Sequence, residues 1–218
     1  ELYAISNVGS FGAVALYPIL VEPLFDQGQQ LYIWQAGYAI LAGLHMLLLF
    51  LSRPQLADGP DSIASTHRPS VGFKHRIFWL LCSASASALF LSVTNVITFD
   101  LASIPLLWIM PLAIYLFSFV LVFKKNPVNH AFMRARLPMV MSVGLFMHVL
   151  ILGAYEMPVL LSLGLHMSVL LAMCVIMHGE MATHRPRDVA NLPEFYLIMS
   201  VGGLVGSTLV SWLVPLIS

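Results

Sequence analysis

Hydrophobic residues run along this chain in long blocks separated by short polar intervals. Seven blocks stand out, at about 3–24, 32–52, 77–97, 103–123, 137–154, 158–178 and 194–216. Each matches the ~20 residues a helix needs to cross a hydrocarbon core of ~30 Å. None alternates apolar and polar positions, and each is well beyond the ~10 residues of a barrel strand. A helix satisfies its backbone hydrogen bonds within one segment, which a lipid environment demands. The pattern predicts an all-α fold, a polytopic transmembrane helical bundle of about seven spans.

The polar intervals alternate in character. Arg53, Arg68, Lys74 and Arg76 follow the second block, Lys124, Lys125, Arg134 and Arg136 the fourth, and Arg185 and Arg187 the sixth. The turns near 25–31, 98–102 and 155–157 hold no basic residue and carry Asp26, Asp100 and Glu156 instead. A seven-span path thus puts all ten Lys and Arg on one side, and a wrong span count would scatter them. Basic loops mark the cytoplasmic face. Residue 1 is therefore expected in the cytoplasm and residue 218 on the opposite side.

Three segments follow from the same pattern: a first pair of spans over 1–52, a cytoplasmic linker over 53–76, and a five-helix unit over 77–218. The linker carries Pro54, Gly59, Pro60, Pro69 and Gly72, residues that break regular structure. Pro18 and Pro23 in the first span, and Pro105 and Pro111 in the fourth, predict kinks or breaks. Small residues run from Cys82 to Ala88 in the third span, and Gly202, Gly203 and Gly206 punctuate the seventh. Such faces let helices approach closely, or they line a path for substrate.

Composition narrows the function. Hydrophobic residues make up 59% of the chain and charged ones 9%, against roughly 25% charged in soluble domains. The partner of most of this surface is therefore the lipid bilayer. Ten basic residues balance ten acidic ones, which gives no basis for nucleic-acid binding. Cys82 and Cys174 lie inside apolar blocks without metal-ligand or CxxC spacing. The chain opens at Glu1 without the basic start of a signal peptide, so a piece of a longer protein is expected.

Polar groups inside a membrane are costly, and each is a functional candidate. His148 and His166 flank Glu156 by eight and ten residues, which puts them at similar depth on antiparallel helices. They suit haem ligation, a metal, a proton or substrate contact, or hydrogen-bonded packing. At the basic end, His178 and Glu180 precede Arg185 and Arg187, followed by Glu194 and Tyr196. Glu180 and Glu194 are expected to pair with Arg185 and Arg187, as a structural network or as a gate or substrate site. At the other end, Asn95 and Asp100 either line a vestibule or cap the fourth helix. No nucleotide loop, HExxH motif or nucleophile elbow is present in the sequence, and no catalytic residue is predicted from it.

The stretch from Thr94 to Pro111, His178-Gly179-Glu180 with Arg185-Pro186, and the stretch from Leu192 to Gly203 resemble the membrane portion of bacterial fused spermidine-synthase-like membrane proteins. The opening from Leu2 to Ser10, with Tyr17-Pro18 and Glu22-Pro23, is also similar. In that family a major-facilitator-like helical region precedes an aminopropyltransferase-like domain. The resemblance implies an inner-membrane domain of this kind, and any such enzymatic domain would lie outside this chain. Three functions stay open. One is transporter-like handling of a polyamine or related metabolite. Another is an accessory or scaffold subunit, docking protein partners through small-residue helix faces. The third is a haem-binding membrane protein, with no cofactor expected otherwise.

Overall fold

The computed structural model describes residues 2–57, 71–101, 107–124, 128–153, 155, 157–213 and 216. Among these residues the chain is all helical and holds no strand. The helices are α1 (Leu2–Leu16), α2 (Gln27–Ala57), α3 (Phe73–Asn95), α4 (Ile109–Phe123), the short α5 (His130–Arg134), α6 (Leu137–Leu152), α7 (Val159–Thr183) and α8 (Leu192–Thr208). Five apolar segments are long enough to cross a membrane, and α4 and α6 are shorter apolar helices. These seven coincide with the seven apolar blocks. The surface is that of a membrane protein: Phe146, Leu160 and Trp212 are exposed, whereas Ser83, Ser87, Ser118, Ser162 and His178 are buried.

The helix ends depart from expectation in ways that bear on the site. α7 stays helical to Thr183, five residues past the expected end, so His178 and Glu180 belong to its last turns rather than to a loop. After Asn95, α3 continues as a π-turn, Val96–Leu101, where a turn was expected. α4 begins at Ile109 with Trp108 as N-cap and no side-chain cap from that residue. Pro111 therefore sits in the first turn of α4, where no backbone donor is lost, and does not kink that helix. Pro18 does interrupt its helix, inside the π-turn Tyr17–Val21. Pro105 and Glu156 lie outside the described residues, as does most of the linker.

The chain forms two compact units, Leu16–Pro69 and the remainder. In the smaller unit, Asp26 and Gln29 cap α2 reciprocally: Gln29 N–H donates to Asp26 Oδ1 at 2.9 Å and Asp26 N–H to Gln29 Oε1 at 3.0 Å. Tyr17 adds a hydrogen bond to Gln30 Oε1 at 3.0 Å.

In the larger unit, α3 and α8 make the closest approach. A β-carbon on Gly202 would stand 2.6 Å from the Leu80 carbonyl oxygen, and one on Gly206 would strike the Ala84 carbonyl. The Ser83 hydroxyl crosses this interface to the Met199 carbonyl at 2.6 Å. The small residues of the third span and the glycines of the seventh thus face each other, as close packing requires. α7 packs against α3, α4, α5 and α6. Trp79, Phe119, Val175, Phe195 and Met199 fill the core nearest the basic residues, and Val93, Ile97, Met167, Leu170 and Cys174 fill the other half.

Gly206→Ala is expected to cost about 1–3 kcal/mol through overpacking, because backbone atoms of α3 must move. Gly12→Ala, where a β-carbon meets open space, is expected to be neutral or to gain up to about 1 kcal/mol from helix propensity. Thermal unfolding in detergent compares the two. Equal effects would remove the close approach as the constraint on this pair.

Candidate functional site

The basic residues of the larger unit gather at one end. Lys74 and Arg76 open α3, Lys124 closes α4, Arg134 and Arg136 precede α6, and Arg185 and Arg187 join α7 to α8. Interhelical contacts join these termini. The Trp79 indole N–H donates to the His184 carbonyl at 3.2 Å, and its ring meets Phe195 edge-on at 5.0 Å. Arg76 Nε lies 2.6 Å from Glu194 Oε1, as an ion pair whose angle falls outside hydrogen-bond geometry. Both side chains are over a third exposed, so this pair marks register more than it stabilises.

Glu180 is the more buried carboxylate, with 13% of its side chain exposed. Arg134 Nε lies 3.2 Å from Oε1, His130 Nε2 lies 3.6 Å from the same oxygen, and His184 Nδ1 lies 3.6 Å from Oε2. The two histidine distances exceed hydrogen-bond reach. His184 Nδ1 instead donates to the Glu180 carbonyl at 2.9 Å. The expected pairing with Arg185 and Arg187 is thus replaced by Arg134 for Glu180 and Arg76 for Glu194. Helix phase explains the change. Glu180 sits within the last turns of α7 on the side of α5, and Glu194 stands in the first turn of α8 beside the start of α3.

The three residues of His178-Gly179-Glu180 serve three neighbours. Gly179 makes room for His130, since a β-carbon there would strike its imidazole. His178 points into the core and is fully buried. Ser118 donates to the Tyr115 carbonyl at 2.6 Å, so its oxygen accepts the His178 Nδ1–H at 2.8 Å. Phe119 stacks on the imidazole at 3.7 Å and Tyr115 meets it edge-on at 5.2 Å. Nε2 is left without a hydrogen-bond partner. Tyr115 also bonds the Ser87 hydroxyl at 3.1 Å, tying α4 to α3.

A cavity of about 260 Å³ opens beside this cluster, between the end of α4, α5 and the last turns of α7. Its polar lining is Lys124, His130, Thr183 and Arg185, over an apolar floor that includes Val122, Phe123 and Val175. A second cavity, about 250 Å³, lies among α3, α6 and α7 and is lined by both His148 and His166, with Met147 and Ser92. His166 is buried and donates Nδ1–H to the Ser162 carbonyl at 2.8 Å, whereas His148 is exposed. Both residues thus line one cavity, between helices whose rotation the sequence does not supply. No cluster of three or more His, Cys, Asp or Glu suited to a metal occurs among the described residues.

Asn95 is half-buried at the far end of α3, about 28 Å along the helix axis from Arg76. The Asp100 side chain lies outside the described structure. The candidate residues therefore divide between the two ends of the bundle. Tyr196 packs on Phe195 at 5.2 Å, beside the Glu194 pair. Sequence reasoning missed His130, Arg134, Ser118 and Lys124. The first two carry a readable signal, a histidine and an arginine four residues apart on one helical face.

No protein-family model matches this sequence, and no curated protein or solved structure matches it. The fold defines an integral membrane helical protein, and its polar chemistry is concentrated at the basic end.

Ser118→Ala is expected to destabilise the protein by about 1–3 kcal/mol, because it strands a buried imidazole N–H. In a His178→Phe background the loss is expected to be smaller, since no imidazole then needs an acceptor. A double-mutant cycle followed by thermal unfolding checks this; equal losses in both backgrounds would remove the hydrogen bond from the account.

Proposed function

We propose that this chain is a transporter-like membrane domain of the bacterial inner membrane that receives a small charged solute at its cytoplasmic, basic end. The supporting observation is the 260 Å³ cavity at that end, set beside the ion-paired cluster of Glu180, His130, Arg134 and His184. A site between helix ends, with convergent polar groups over an apolar floor, is the usual form of a small-molecule pocket. The resemblance to fused spermidine-synthase-like membrane proteins supports the inner-membrane placement, and the excess of basic residues at one end supports its orientation. Any aminopropyl transfer belongs to a separate domain in this reading.

The polyamine version of the proposal asks for a carboxylate free to meet a cation. Glu180 is engaged by Arg134 and flanked by two histidines, and Glu194 faces Arg76. A polyamine therefore binds here only by displacing Arg134 from Glu180. Its binding is then abolished by Glu180→Gln, which keeps the shape and removes the charge.

A second reading, an accessory or scaffold subunit, draws on α2, whose apolar stretch Gln27–Leu51 is long enough to cross a membrane. Lipid or a partner helix covers such a stretch. The shared cavity of His148 and His166 supports the haem alternative, which a visible absorption spectrum of protein from haem-replete cells decides.

The expected outcome is that the protein, purified in mild detergent and moved into phosphatidylcholine nanodiscs, binds spermidine or a small anion in calorimetric titration. In proteoliposomes the same solute is expected to cross. Failure of both spermidine and the small anion to bind would sink the solute reading, and a stoichiometric co-purifying protein identified by mass spectrometry would favour the scaffold.

A further inference from the structure

The cavity at the basic end has a sign. Lys124 and Arg185 both line it, and neither makes an ion pair among the described residues. His130 forms another part of the wall, and its buried Nε2 lies 3.6 Å from Glu180 Oε1, beyond hydrogen-bond reach, with no hydrogen bond of its own. Glu180, the residue after the lining Gly179, is already beside Arg134 at 3.2 Å. Lys124 and Arg185 thus stand in the cavity lining as two cations without an acidic residue among the lining, while Arg134 is taken up by Glu180. The Thr183 hydroxyl is occupied by the Glu180 carbonyl at 3.0 Å and serves the helix end rather than a ligand.

We infer that this cavity binds a phosphate-type anion, held by Lys124 and Arg185 with His130 as a third donor. Resting on the solute reading above, the inference names its substrate class and reverses the charge a polyamine would bring. An arginine and a lysine converging on one small cavity give charge-assisted hydrogen bonds to phosphate oxygens. Gly179 is part of the device, because it lets the His130 imidazole lie against α7 where a larger residue would push it out. The apolar floor of Val122, Phe123, Val128 and Val175 suits the carbon skeleton attached to such a phosphate. Two sources present the same chemistry: a free phosphate compound from the cytoplasm, or the headgroup of an anionic lipid, for which basic pockets between helix ends are known receptors.

The test uses the full chain in nanodiscs of phosphatidylcholine alone, or of phosphatidylcholine mixed with phosphatidylglycerol. Inorganic phosphate is titrated into the first, and lipid retained on release from the second is identified by native mass spectrometry. Lys124→Gln and Arg185→Gln are compared with Arg187→Gln, which removes the same charge from the same loop region without lining the cavity. Each variant is first checked for an unchanged unfolding midpoint, and Gly179→Ala, which crowds His130 without removing a charge, is expected to weaken binding as well.

Saturable phosphate binding, weakened roughly tenfold by either cavity variant but not by Arg187→Gln, supports the inference with a free anion as its source. Retention of phosphatidylglycerol that needs Lys124 and Arg185, without phosphate or spermidine binding, supports it with the headgroup as source and removes the solute reading. Equal effects of all three charge removals overturn it, since the cause is then the general field of the basic end. Glu180-dependent binding of spermidine without binding of either anion also overturns it, while leaving the solute reading in place.

Discussion

Backbone contact between α3 and α8 is the constraint on which the rest of the larger unit depends. Lipid tails are as apolar as leucine, so two membrane helices gain little from hydrophobic contact alone. They associate through close packing and interhelical hydrogen bonds. Gly202 and Gly206 bring α8 against the carbonyls of Leu80 and Ala84, and Ser83 bonds Met199 across the seam. Once this pair is in register, Arg76 necessarily stands by Glu194 and Trp79 by Phe195. The arrangement of the basic end is the far reach of a contact made in the middle of the membrane.

α7 then distributes the remaining polar groups. Successive residues on a helix point about 100° apart, so His178, Gly179 and Glu180 reach three different environments. His178 joins α4 through Ser118, Gly179 accepts the ring of His130, and Glu180 holds Arg134. The presence of serines and two histidines in the core beside apolar residues, with large apolar residues also on the surface, follows from the same economy. A buried hydroxyl or imidazole in a membrane bundle finds its partner on a neighbouring helix or on its own preceding turn, as His166 does with Ser162.

The all-helical fold and the seven apolar blocks were legible because lipid imposes a minimum length and forbids unpaired backbone. The grouping of basic residues at one end was legible for a related reason, as each loop inherits its side from the number of spans before it. The small residues of the third and seventh spans announced close packing, but not that they pack on each other, since partner choice depends on rotation about each axis. The same ignorance of rotation misassigned the partners of Glu180 and Glu194. Proximity in sequence pointed to Arg185 and Arg187, whereas helix phase delivers Arg134 and Arg76. His148 and His166 show the same limit. Equal distance from a turn pointed to a shared depth, but only the rotation of α6 and α7, which the sequence does not carry, turns both towards one cavity.

The Ser83–Met199 hydrogen bond spans 116 residues of chain, which has a bearing on biosynthesis. At ribosomal rates of ~5–20 residues per second, α8 follows α3 by on the order of ten seconds. Throughout that interval the Cys82–Ser87 face of α3 has entered the bilayer without the helix it is shaped for. Serine hydroxyls tolerate the wait by bonding carbonyls one turn back in their own helix. The seam therefore closes late, only after α8 has left the insertion machinery.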